Sequence, residues 1–221
     1  MNQIIDWYRE KLARNYKVPE DSFLGRNVVI KQLENNNAFL ETEAVRLSDI
    51  HPDHHVLEVG FGPGIGIEAA CKIIKGGSGM VHGIDMSSFM LKTASERNSE
   101  FLKTGKLKLE QGDITKTPFN TNTFDRVFHC NCYYFWGDQL KASKELHRII
   151  KPGGKMVTTL NLNAVKIAQE KNLLQYGKPD PENYINVLKL AGFRDVKMET
   201  LQHEASGHKY EAIFAFVGDK S

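Results

Sequence analysis

Residues 56–70 read VLEVGFGPGIGIEAA. A strand-like apolar run, 56–60, gives way to glycine at positions 60, 62, 64 and 66, and a helical pattern follows from Ile65. Glycine at the end of a buried strand gives up packing and backbone entropy. The return is room for something to approach the backbone at a helix N-terminus, where N–H groups lack partners. A tight strand-to-helix turn with no ligand is the bland alternative.

Outward from this turn the pattern repeats as strand then helix. Strands are expected over 80–86, 106–111, 125–132 and 155–160, with helices over 65–75, from Ser87 or Ser88 to about 104, and over 139–150. A helix over 182–191 and strands over 195–201 and 210–217 close the chain. Repeated β-α units imply a doubly wound α/β fold with helices on both faces of a mostly parallel, seven-stranded sheet. The last connection is only about 8 residues, too short to join parallel neighbours, so the last strand is expected to run antiparallel. Ahead of this unit, residues 1–50 read as an N-terminal helical cap. Ile4, Ile5, Tyr8 and Leu12 fall on one face of a first helix, with Trp7 beside them, and this stripe is expected to bury itself over the open end of the sheet as a lid. A second helix spans 27–50, its middle weakened by ENNN at 34–37. The segment 161–184 is expected to arch over the same end.

In such sheets ligands sit beyond the carboxyl ends of the strands, where strand order reverses. Three acids lie there. Asp85 ends the second strand and can accept two ribose hydroxyls, or else cap the next helix. Asp113 ends the third and can accept an exocyclic amine, or else make an Asx turn. Glu58 lies inside the first strand, where a carboxylate needs donors or a cation. The glycine spacing is not the dinucleotide G-x-G-x-x-G, since Ile65 and Ile67 stand where the third glycine would fall. No P-loop lysine follows. The set suits a ligand with ribose, adenine and an ammonium group but no phosphate. A nicotinamide oxidoreductase is thereby disfavoured.

VLEVGFGPG, GIDMS, QGDI, FDRVFHCNCYYFW and RIIKPGGKMV occur in the order and spacing of the class I S-adenosylmethionine-dependent methyltransferases, and over about residues 50–160 the chain resembles that family. Within it the chain looks most like the small-molecule branch near the quinone- and sterol-type methylases. The resemblance implies a Rossmann-like methyltransferase domain over 51–221 with S-adenosyl-L-methionine as cofactor. It implies that Glu58, Gly60, Phe61, Gly62 and Gly64 wrap the methionine end. Asp85 takes the ribose, Met86 packs on the adenine, Asp113 and Ile114 hold the adenine rim, and Asn131 approaches the methionine portion. KPGG at 151–154 is structural, with Gly153 suited to a helix C′ position. A binding or scaffold protein on the same fold is the alternative from another class.

Methyl transfer from a sulfonium chiefly needs positioning and exclusion of water. If a base is used, His129, Tyr133 and Tyr134 are the candidates, and the residues do not choose among them. Cys130 and Cys132 lack a third ligand, and HPDHH at 51–55 lies at the far end of the sheet, so no metal is expected. The 29 basic and 27 acidic residues leave a net charge of +2, too balanced for a polynucleotide track or a membrane surface. No NPPY-type motif follows the fourth strand, which also favours a small-molecule substrate. Three cysteines without framework spacing and an N-terminal stretch lacking an apolar signal core lead to an expected cytoplasmic location.

Overall fold

The computed structural model describes residues 2–218. Seven strands form one sheet in the order β3-β2-β1-β4-β5-β7-β6. They are β1 (His55–Val59), β2 (Met80–Asp85), β3 (Leu107–Gln111), β4 (Phe124–Cys130), β5 (Ile150–Leu160), β6 (Arg194–Gln202) and β7 (Lys209–Phe216). Only β7 runs against the other six strands, pairing antiparallel with both β5 and β6. The strand order reverses between β1 and β4, which pair in parallel through Val56–Arg126 to Glu58–Phe128.

Alternation along each strand sends neighbours to opposite faces. Val56, Val81, Phe128 and Val157 face one layer of helices: α2 (Ile30–Leu47), α3 (Ile65–Ile74) and α4 (Ser88–Arg97). Leu57, Val127 and Met156 face the other, where α6 (Gln139–Ile149) and α8 (Pro181–Leu190) pack. A short α5 (Ser99–Lys103) and α7 (Leu162–Glu170) complete the helices, with α1 (Asn2–Lys17) at the start.

Side-chain caps fix the helix starts. Ser87 Oγ accepts from Met90 N on α4, and Asn161, Asp138 and Asp180 do the same for α7, α6 and α8. The single helix expected to about residue 104 breaks at Asn98. That side chain is buried and donates to the carbonyls of Gly64 and Ala94, both at 3.0 Å, which ties α4 to the glycine turn. KPGG is also placed differently from the expectation. Helix α6 ends at Ile149, so Gly153 is not its C′ residue. The four residues after Ile150 form a bulge inside β5, opposite Phe124 and Arg126, stitched to the end of β7 by Gly153 N donating to Val217 O. The left-handed φ of +74° at Gly153 serves that bulge.

The cap is of two kinds. Helix α2 follows a π-helical turn at Gly25–Val29 and runs unbroken through ENNN. Its Leu40 and Ala44 lie fully buried in the core with Ile67 and Ala70 of α3. Helix α1 does not bury the stripe assigned to it. Leu12 and Ala13 are buried, but Ile4, Ile5, Trp7 and Tyr8 remain 75, 44, 58 and 42% exposed. Tyr133, after β4 at that end of the sheet, is covered instead by Tyr184 of α8, with ring centroids 4.1 Å apart.

Candidate active site

Beyond the carboxyl ends of β1 and β4, where the strand order reverses, lies a cavity of about 110 Å³. The turn Gly60–Pro63 forms one wall, with Asp85 and Met86 from β2, and Gly112 and Ile114 after β3. Cys130, Asn131, Cys132, Phe135 and Trp136 follow β4 along the opposite wall. Leu33, Asn37 and Glu41 descend from α2, and Tyr16, Lys17 and Pro19 close over from the end of α1.

Three of the four glycines show two different demands. Gly62, at φ +50°, has only Leu33 Cδ1 near a would-be Cβ, at 4.0 Å, so its side is open to the cavity. A Cβ on Gly64 would lie 2.8 Å from Ala94 Cβ, and one on Gly66 would lie 2.5 Å from Glu58 Oε1. Gly62 therefore leaves room for a ligand, whereas Gly64 and Gly66 leave room for the protein itself.

Asp85 ties the turn down. Its Oδ2 accepts from Gly62 N at 3.0 Å and its Oδ1 from Ser87 N at 2.8 Å. It is not the cap of α4, because Ser87 fills that role. Each oxygen keeps a lone pair for a further donor. Burial raises the Asp85 carboxyl to about 6. Two further carboxyls lie behind the turn. Glu41 accepts from Gly66 N through Oε2 at 3.0 Å. Burial, the dominant cause, raises its carboxyl to about 8. Glu58 is pushed well up by burial and by the adjacent Glu41 and Asp85, and its Oε2 has no partner. Asn131, at φ +47°, donates through Nδ2 to Asn37 Oδ1 at 3.2 Å, leaving its own Oδ1 unpartnered. The cavity is thus rich in acceptors and calls for a ligand that brings donors or positive charge.

A second cavity, of about 150 Å³, adjoins the first. It lies between α2, α7, the Leu173–Leu174 loop and the Tyr134–Phe135 turn, so segment 161–184 does help to roof the site. Tyr16, Leu33, Asn37, Asn131 and Phe135 line both cavities.

Of the residues named from sequence, Gly60, Gly62, Asp85, Met86, Ile114 and Asn131 line the first cavity, and Tyr134 lines the second. Phe61 is fully buried in the core beneath the turn, and Gly64 caps α3. Asp113 is exposed, its Oδ1 accepting from Thr115 N in an Asx turn, while its neighbour Gly112 faces the cavity. His129 is fully buried, with Thr158 Oγ1 and the Tyr184 hydroxyl 2.8 and 3.0 Å from Nε2. Burial lowers it to about 3. Tyr133 is likewise fully buried and pushed up by burial. Glu41, Asn37, Leu33 and Lys17 were not picked out from sequence, since no local motif marks them. Their only sequence signals were a carboxylate and an asparagine within an otherwise apolar helical face. Among the described residues no group of three or more His, Cys, Asp or Glu side chains could hold a metal ion. The three cysteines are free. No described helix is long and apolar enough to cross a membrane.

The sheet order and the cavity at its reversal point are those of a doubly wound α/β fold, and comparison with known proteins supplies the family. Residues 56–154 match the methyltransferase domain model. A Bacillus subtilis protein named as the uncharacterized methyltransferase YdaC is 35% identical over 144 residues, covering 65% of this chain and 74% of the relative. The chloroplastic 2-methyl-6-phytyl-1,4-hydroquinone methyltransferase of Arabidopsis thaliana is 28% identical over 73% of this chain, which spans 47% of that longer protein. The methyltransferase from a Haloferax volcanii complex with the activator Trm112 superposes with a TM-score of 0.72 at 15% identity, covering 94% of this chain and 97% of that one. The chain belongs to the class I S-adenosylmethionine-dependent methyltransferases, and its cofactor is S-adenosylmethionine.

Proposed function

We propose that the chain transfers the methyl group of S-adenosylmethionine to a small-molecule acceptor held in the second cavity. The observation that carries this reading is the shared wall: five residues line both cavities, so a donor in the first and an acceptor in the second would meet across Asn37 and Asn131. The acceptor-rich first cavity fits the cofactor. Asp85 has lone pairs left for the ribose hydroxyls, and Met86, Met90 and Ile114 offer apolar surface for a flat base. Glu41, which lines this cavity and not the second, suits an ammonium group through the oxygen that Gly66 N leaves free. A pyrophosphate would instead meet Asp85 and Glu41, which argues against a nicotinamide cofactor.

When bound, S-adenosylmethionine supplies an electrophilic methyl on a positively charged sulfur. The chain's own task is then to orient the nucleophile and exclude water. Phe135, Leu33 and Tyr16 do both at the junction of the cavities. No base titrating near neutrality lines the second cavity: His129 lies behind Tyr184, and burial pushes Tyr134 up. A neutral nucleophile that releases its proton to solvent, rather than to a side-chain base, fits this arrangement.

The near-neutral charge gives no track for a polynucleotide, and the free cysteines suit the cytoplasm. The reading is tested by incubating the protein with methyl-tritiated S-adenosylmethionine and a small-molecule extract of cells. Label should enter low-mass products and disappear with Asp85→Ala. Label confined to protein or nucleic acid, or no label transferred, would refute it.

A further inference from the structure

We infer that the second cavity takes a neutral, largely apolar acceptor whose O–H or N–H group donates to a carboxamide rim. This rests on the methyl-transfer reading and specifies its acceptor. No residue lining the cavity carries a side chain that is ionised near neutrality. Its two titratable groups, Tyr16 and Tyr134, are both raised by burial and stay uncharged. A phosphate or carboxylate entering here would lose its water and meet no cation, and an ammonium would meet no carboxylate.

The polarity that remains is concentrated on one side. Gln32, Asn36 and Asn37 come from successive turns and neighbouring positions of α2, and Asn131 lies across from them. Two buried acceptors in this group have no partner: Gln32 Oε1 and Asn131 Oδ1. A buried acceptor without a donor is costly, so the site favours a ligand that brings one. Opposite the rim the wall is aliphatic, with Val165, Ala168 and Leu174 from the 161–184 segment. One end of the acceptor must therefore donate a hydrogen bond, and the rest must be content in hydrocarbon surroundings. Asn131 belongs to both cavities, which sets the donating end beside the methyl donor.

The test uses the full-length protein and calorimetric titration with defined probes: para-butylphenol, para-butylaniline, para-butylanisole and para-butylbenzoate. Each is titrated with and without S-adenosylhomocysteine. The phenol and aniline should bind at least about tenfold more tightly than the benzoate. The anisole, which lacks the donor hydrogen, should bind about fivefold more weakly than the phenol. Ala168→Trp, on the partly exposed face of α7, should abolish binding of the phenol and leave S-adenosylhomocysteine affinity unchanged. Gln32→Leu should narrow the gap between phenol and anisole. Benzoate binding as tight as the phenol, phenol binding unaffected by Ala168→Trp, or no binding of either neutral donor would overturn the inference. Failure of S-adenosylhomocysteine to bind would instead refute the cofactor reading, while the probe titrations made without it would still judge the cavity.

Discussion

The glycine turn and helix α1 both border the first cavity, yet they are held in opposite ways. Around the turn, three alternate glycines are tied by side chains from distant elements. Asn98, just after α4, donates to Gly64 O, Asp85 of β2 accepts from Gly62 N, and Glu41 of α2 accepts from Gly66 N. Helix α1 buries Leu12 and Ala13 and leaves most of its larger apolar side chains in solvent. Its far end is held by Ser87 Oγ donating to Pro19 O and by Glu20 N donating to Asn15 Oδ1. A firmly braced wall beside a lightly held helix is what gating of the proposed donor site would need.

The contrast is broken most severely at Gly64. Gly64→Val would set a branched side chain at φ +82° against Ala94 and Asn98, and should cost about 3 kcal/mol or more, enough to lower thermal stability steeply. Gly62→Val is the control within the same turn. Its side chain would enter the cavity rather than the protein, so the variant should fold, with a strain cost of about 1–2 kcal/mol, and lose S-adenosylhomocysteine binding. A Gly62→Val protein that binds as wild type would show that no ligand approaches this backbone.

Glu41 sharpens the comparison through pH. Its carboxyl is raised to about 8, chiefly by burial, with Glu34 of α2 adding to the rise and Arg97 of α4 and the Gly66 N–H opposing it. Glu58 of β1 is raised beside it, partly by Asp85 of β2. In the unfolded chain a glutamate titrates near 4.3. Between those limits the folded protein holds a proton that the unfolded chain has lost, so stability falls as pH rises from about 4.5 to about 8 and then levels. Glu41→Gln should flatten part of this slope and stabilise the cofactor-free protein by on the order of 1 kcal/mol at pH 8, with little change at pH 5. Scanning calorimetry of both proteins across this range is the check, and parallel pH profiles would contradict it. Above about pH 7, where Asp85 is already largely ionised, wild-type affinity for S-adenosylhomocysteine should still rise as Glu41 ionises, and the variant's should level off.

At the weakly held end, effects should be small on stability and visible only in exchange with ligand. Trypsin should cut near Lys11, Arg14 or Lys17 in the free protein, and S-adenosylhomocysteine should slow that cutting. Cutting at equal rates would make α1 a static element rather than a lid. Trp7→Ala, at a side chain 58% exposed, should change stability by no more than about 0.5 kcal/mol.

The same division explains what could be read from sequence. The strands, the parallel order and the antiparallel β7 follow from local alternation and short connections. The turn and Asp85 follow from glycines and an acid at strand ends. Glu41 and Asn37 escaped because they reach the site from a helix that carries no motif, and only folding brings them beside Gly66 and Asn131. Phe61, expected at the methionine end, instead points under Gly83 into the core, because alternation does not survive a turn. The α1 stripe misled for a general reason, since periodicity shows that a face is apolar but not that a partner exists. Asn98 breaks a helix that periodicity would continue, its amide bridging Gly64 O in the turn and Ala94 O in α4.

Asp85 and the glycine turn are proposed to hold the methyl donor. Calorimetric titration of S-adenosylhomocysteine into the wild-type protein and into Asp85→Ala tests it directly. Two ribose hydroxyls donating to one carboxylate are each worth roughly 1.5–3 kcal/mol, so the variant should bind at least about tenfold more weakly while the wild type binds one molecule per chain. An unchanged dissociation constant in Asp85→Ala would reduce Asp85 to a brace between Gly62 and Ser87 and would contradict the account.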